Sequence, residues 1–204
     1  MTAPSASLLS PRVLLPFALV TLIWGSTWIV IKGQLGIVPP SWSVTYRFAV
    51  AAAAMFAFAV MRRERLMPGP RALAFGALLG VAQFAFNFNF VYRAEQHITS
   101  GLVAVLFALL IVPNTLLGRL FLRTPIEARF LAGAGIAIGG VAMMILHEYR
   151  AVALDAHAVL IGTALTLSGV LSASISNVMQ GTHFARAQSM IVMIAWAMLF
   201  GALA

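Results

Sequence analysis

The sequence predicts an all-α fold, a polytopic bundle of membrane-spanning helices, and three observations carry that expectation. Hydrophobic residues make up 62% of the 204-residue chain and charged residues 9%, against roughly a quarter charged in soluble domains. Stretches of about 20 residues without Asp, Glu, Lys or Arg recur along the chain, the length a helix needs to cross a bilayer. The thirteen basic residues punctuate these stretches rather than gathering on one face. A soluble fold of this length could not cover its surface with so few charges. Seven spans of about 20 residues would use about 140 residues, leaving short loops and no room for a separate catalytic domain.

The elements follow in order. After an N-terminal tail over 1–12, the first span is expected over Val13–Ile31, between Arg12 and Lys32. That run is long enough to cross, so it reads as a retained helix rather than a cleaved signal peptide. A Gly/Pro-rich connection over Gly33–Pro40 leads to the second span, Trp42–Met61, which holds one charge, Arg47. Arg62, Arg63, Glu64, Arg65, Pro68, Gly69, Pro70 and Arg71 close it. The third, fourth and fifth spans are expected over Ala72–Tyr92, Ser100–Leu120 and Ala128–Leu146, and an external loop over 147–157 precedes the sixth, Ala158–Met179. The seventh begins near Ser189 and is still apolar at Ala204. Its length, about 16 residues, falls short of a crossing, so the chain is expected to stop inside a membrane segment.

Alternate loops carry Arg12, then Arg62, Arg63, Arg65 and Arg71, then Arg119, Arg123 and Arg129, then Arg186, nine basic residues in all. The opposite loops carry three, Lys32, Arg93 and Arg150. Basic loops are retained in the cytoplasm, which predicts a cytoplasmic N-terminus in the cell membrane. The net charge of +8 is therefore loop charge, and no nucleic-acid partner is expected. Lacking Cys, the chain can form neither disulfides nor thiolate sites. His147-Glu148-Tyr149-Arg150-Ala151 has Ala where a zinc-protease motif needs its second His, and there is no Gly-x-Ser-x-Gly elbow. His97, His147, His157 and His183 fall in loops on different sides. No catalytic residue, metal or cofactor is expected, and phosphate-binding glycine patterns are absent.

The motifs resemble a family. Leu22-Ile23-Trp24-Gly25-Ser26-Thr27-Trp28, then Pro39-Pro40 and Tyr46-Arg47-Phe48, resemble the opening of EamA-type transporters of the drug/metabolite transporter superfamily. Asn87-Phe88-Asn89-Phe90-Val91-Tyr92-Arg93-Ala94-Glu95, Thr99 to Ala104 and Gly133 to Gly140 continue the likeness, which covers Leu14 to Leu146 well. The family often has Gly-Glu after its fourth span, where this chain reads Leu122-Arg123-Thr124-Pro125. The resemblance implies two five-helix repeats of opposite orientation. Residues 13–146 would form the first, and 158–204 about two helices of an inverted second. Five spans, an odd number, force such an inversion. It implies a secondary, non-ATP-driven bacterial transporter that exports small metabolites or drugs by alternating access. The rival expectation is a non-transporting membrane fragment or assembly component lacking the last three helices. The partners expected are the lipid bilayer and a small-molecule solute, and a homodimer is one assembly open to such a bundle.

Polar residues inside spans are costly and mark candidate solute paths. Gln83 and Asn87, four apart, share a helix face, while Asn89 points elsewhere. They could line a cavity and hydrogen-bond a solute, or bridge helices, where such bonds contribute about 0.6 kcal/mol. Ser168, Ser172 and Ser176 recur every four residues and read mainly as packing, as do Gly76/Gly80 and Gly135/Gly139. Asn177, a larger amide, gains nothing from close packing and joins the cavity candidates. Pro113 denies the Leu109 carbonyl its helical donor; a kink there could be a hinge or could simply shape the bundle, and Asn114 sits beside it. Trp24 lies deep enough to stack on a solute, and Trp42 suits an interfacial anchor. Arg47 is about five residues, roughly 8 Å, from the outer end, within reach of the interface. Its sharper alternative is an anion contact. No Asp or Glu lies within a span, so no carboxylate proton relay is expected there.

Overall fold

Three long helices open on a proline in the first turn, Pro11, Pro40 and Pro70. The first helical N–H has no intrahelical acceptor, so proline loses nothing there and its fixed φ suits the turn. These helices are α1 (Pro11–Gln34), α2 (Pro40–Met61) and α3 (Pro70–Ala94). Thr99 caps α4 (Ser100–Leu122), its side-chain oxygen accepting the Leu102 N–H at 3.3 Å. Then come α5 (Ala128–Arg150), α6 (Ala156–Gln180), the short α7 (His183–Arg186) and α8 (Met190–Leu203). The computed structural model describes residues 10–150 and 156–204. Residues 1–9 of the expected tail, and 151–155 of the expected 147–157 loop, lie outside the described residues.

Among the described residues the chain is an all-α membrane bundle in which six helices are long and apolar enough to cross a bilayer. Helices run past the expected spans: α1 continues to Gln34 and α5 to Arg150. The expected 147–157 loop is thereby shortened at both ends. A charged residue marks where a helix leaves lipid, and Lys, Arg and Gln are themselves good helix formers.

The interior belongs to α3 and α6. Of their apolar stretches 39% and 44% are buried within the protein, against 6% for α1 and for α5. Helix α3 packs on α2, α6 and α8; α6 also packs on α4; α1 rests on α4, and α5 on α4 and α6. The outer helices therefore leave most of their apolar surface uncovered by the other described helices. Where α3 meets α8 the backbones touch: a Cβ on Gly80 would lie 2.2 Å from the Ala197 carbonyl oxygen, and one on Gly201 2.7 Å from the Gly80 oxygen. Gly135 and Gly139 behave differently from expectation. Nothing lies within 4 Å of either Cβ position, because α5 is peripheral and presents that stripe to no described helix.

Two helices are irregular where the sequence predicts plain α. Val81–Phe86 of α3 is a π turn, and the Asn87 N–H donates to the carbonyl of Ala82, five residues back. The same carbonyl accepts the Ser172 hydroxyl of α6 at 2.8 Å. In α4 the N–H groups of Leu109, Leu110 and Val112 donate three residues back, at 3.1, 3.0 and 2.9 Å. The Leu109 carbonyl, expected to be freed by Pro113, is therefore taken by Val112. Pro113 instead lies in the first turn of the resumed helix from Ile111, where proline is tolerated.

Candidate functional site

The tight stretch of α4 and the π turn of α3 flank a cavity of about 220 Å³. Its wall comes from five helices. Ile23, Trp24, Thr27, Trp28 and Ile31 supply the α1 side, recurring at the three- and four-residue spacing of one helix face. Arg47 enters from α2; Gln83, Asn87, Phe88 and Val91 from α3; Phe107 and Leu110 from α4; Ala173 and Asn177 from α6. The wall is mostly apolar with a few placed polar groups, the usual character of a small-molecule site.

Each predicted residue can be located. Asn87 is 3% exposed, and neither its Oδ1 nor the Gln83 Oε1 has a hydrogen-bond partner among the described residues. A buried polar atom left this way costs about 1–3 kcal/mol, which a donor group entering the cavity would relieve. These two oxygens bridge no helices. Asn89, by contrast, is fully engaged: its Nδ2 donates to the Ala85 carbonyl at 2.9 Å and its Oδ1 accepts the Ser41 hydroxyl at 2.8 Å. Gly169 of α6 makes room beside Asn87, since a Cβ there would sit 3.4 Å from Oδ1.

Arg47 lies in the cavity wall against aromatic rings. Its guanidinium carbon lies 5.0 Å from the Phe88 ring centroid and 5.9 Å from that of Phe48. A cation over aromatic faces gains about 0.5–2 kcal/mol. The ion pair among the described residues is elsewhere, between Arg129 and Glu127, so within them Arg47 keeps a cationic charge without a carboxylate partner. Trp24 is in the wall but largely exposed, whereas Trp28 is held edge-on to Phe107, centroids 5.9 Å apart. Asn114 and Pro113 are outside the wall; Asn114 meets it only through Asn177, whose Nδ2 donates to Asn114 Oδ1 at 3.4 Å. Trp42 is exposed and stacks on Tyr46.

Sequence reasoning missed Glu95, which it treated as a loop charge. It follows α3 immediately and is completely buried. Ser100 donates its hydroxyl to Oε2 at 2.6 Å, while Oε1 has no partner among the described residues. The Lys32 ammonium donates to the Glu95 backbone carbonyl at 3.1 Å. Burial pushes the carboxyl pKa above the ordinary range, opposed by the Ser100 hydrogen bond and the Lys32 charge. The Glu95 N–H donates to the carbonyl of Val91, a wall residue, at 3.1 Å, which places Glu95 one helical turn beyond the cavity. A hint existed in the sequence, an acid five residues before a Ser at a helix start, but nothing local distinguishes a buried acid from a solvated one.

Residues 12–146 match the EamA-like transporter family. Protein PagO of Salmonella typhimurium is 30% identical over 65% of this chain and 43% of its own length. The uncharacterized inner membrane transporter YedA of Escherichia coli K12 is 36% identical over 62% of this chain and 40% of its own. An uncharacterized transporter of Buchnera aphidicola is 21% identical over 62% and 41%. The matches thus span about four-tenths of these curated relatives. No solved structure matches the chain. Six apolar helices, the Trp24-Gly25 opening and a family match across residues 12–146 agree: the chain belongs to the EamA-like transporter family.

Proposed function

We propose that the protein is a secondary transporter of small metabolites or drugs, and that the cavity between α1, α2, α3, α4 and α6 is its solute site. The observation that carries this reading is the polar set in a mostly apolar wall: Arg47, with no carboxylate partner among the described residues, and the Gln83 and Asn87 oxygens, with no hydrogen-bond partner among them. Such groups are costly in a bilayer unless something enters to meet them. Trp24 and Asn177 line the rim and contact the solute's apolar and polar parts. Arg47 meets an anionic group. Pro113, with the tight turns before it, is the hinge of α4.

In this reading the N-terminus is cytoplasmic, as the arginine-rich loops favour, and the membrane is the bacterial inner membrane, as the name of the YedA relative suggests. Residues 13–146 form one repeat, and 158–204 begin an inverted second one. Alternating access moves the two repeats about the cavity, and export is the direction the family likeness implies. The test is a solute screen in proteoliposomes followed by Asn87→Ala. Losing one hydrogen bond of about 1 kcal/mol raises the half-saturating solute concentration roughly 5-fold at unchanged expression. Unchanged affinity for every transported solute would remove Asn87 from the site.

A further inference from the structure

We propose that Glu95 is a proton-binding site one helical turn beyond the cavity wall, that the cavity opens at this end, its mouth, and that losing the proton loosens the end of α1 from α3. The inference rests on the cavity being the solute path, since only then does the mouth need to open. Its geometry is independent of that. Glu95 is fully buried, has one carboxyl oxygen without a partner among the described residues, and lies one turn beyond Val91. Lys32 follows directly on Ile31, which is in the cavity wall, and its ammonium holds the carbonyl of Glu95 rather than the carboxyl. The two helices that bound the mouth are thus tied through one residue.

The titratable and charged groups on the elements around it are Lys32 on α1, Tyr92 and Arg93 on α3, and His97 in the connection. His157 stands in the first turn of α6, and His147, Glu148, Tyr149 and Arg150 in the last turn of α5. Tyr92 donates its hydroxyl to Gln34 Oε1 at 2.7 Å, a second tie between α1 and α3. Arg93 reaches outward to Ser41. Among these, Lys32 supplies the charge acting on the carboxyl.

As the neutral acid, Glu95 needs no counter-ion and the packed mouth is stable. On ionisation the O–H bond breaks, the proton passes to water, and the electron pair stays on the carboxylate. An unpaired buried carboxylate is strongly disfavoured, and it is also a stronger acceptor for Lys32 than the carbonyl already held. Water is drawn in to solvate the charge and Lys32 gives up the carbonyl that it holds, so the dry packing of α1 against the α3 end is lost. The packed mouth binds the proton more tightly than an open, hydrated one, so low pH favours closure and rising pH favours opening. The rival reading makes Glu95 a permanent carboxylate that anchors the turn to Ser100.

Two measurements on the whole chain in lipid nanodiscs, neither needing a transported solute, decide between these. The first follows the infrared carbonyl band of a protonated carboxylic acid through a pH titration. Expected is a band that persists above the ordinary Glu pKa of about 4.3 and is absent in Glu95→Gln. In Ser100→Ala, which removes the bond favouring the carboxylate, it should persist to still higher pH. The second uses the absence of Cys: Val91→Cys creates a single thiol in the wall, and its reaction with a membrane-impermeant maleimide is timed against pH. As the band disappears, labelling should accelerate at least several-fold beyond that of the Glu95→Gln double variant, whose rate carries only the thiolate's own rise with pH. A band lost at the ordinary pKa, or left intact in Glu95→Gln, overturns the proton site. Labelling that rises with pH equally with and without Glu95→Gln overturns its link to the mouth. If both measurements succeed while no solute is ever transported, the proposed function fails and the proton site stands.

Discussion

Gly80→Ala tests whether α3 and α8 meet backbone to backbone. The new Cβ would sit 2.2 Å from the Ala197 carbonyl oxygen and 3.0 Å from the Gly201 nitrogen. Ordinary contact begins at 3.4 Å, so the helices must part by about 1.2 Å at that point (3.4 minus 2.2). The obstructing atoms are helical backbone and cannot rotate away. Overpacking of this kind costs about 1–3 kcal/mol, or roughly 2–12 °C of melting temperature for a chain of this size. Gly76→Ala is the matched control. Its Cβ would meet the Met193 sulfur at 3.4 Å, the end of a flexible side chain, so no clash is expected. Both substitutions gain the same helix propensity, up to about 1 kcal/mol, and their difference isolates the crossing. Thermal unfolding of the purified chain in one detergent gives the comparison. If Gly80→Ala melts at or above Gly76→Ala, the helices do not cross where described.

Other consequences are open to measurement. Trp196 of α8 donates its indole N–H to the Leu66 carbonyl at 2.7 Å, pinning the loop between α2 and α3; Trp196→Phe should speed trypsin cleavage at Arg63 and Arg65 several-fold, and unchanged cleavage would deny the pin. Ser172→Ala removes the interhelical bond to Ala82 and should destabilise the bundle by about 0.6–1.7 kcal/mol in detergent unfolding; a smaller effect in Ser172→Ala than in Ser168→Ala, whose hydroxyl bonds only within α6, would contradict the assignment. Pro113→Ala restores a donor to α4 and is expected to slow solute turnover while leaving affinity within about twofold; equal turnover would show that the interruption at Leu109–Leu110 does not act as a hinge.

The membrane helices were legible because insertion depends on summed side-chain transfer energies over about 20 residues, a local and nearly additive property. That reasoning placed all six long helices near their observed positions, erring at ends such as 147–150, where polarity changes before the helix does, and missing the irregular turns inside α3 and α4. It also brought forward Gln83, Asn87 and Asn177 as amides exceptional in lipid, and Trp24 and Arg47 beside them. Their meeting around one cavity was not written in any single segment, since it depends on which faces α1, α2, α3, α4 and α6 turn towards one another. The same limit explains the rest. The π turn forms where the Ala82 carbonyl meets Ser172, ninety residues away. Arg47 turns inward because Phe88 of another helix offers a ring face. Glu95 loses its water because the ends of α1, α3 and α4 close around it. Local hydrophobicity selects the segments that enter the bilayer, but desolvation of a given polar atom is a property of its neighbours, and only the packed helices determine those.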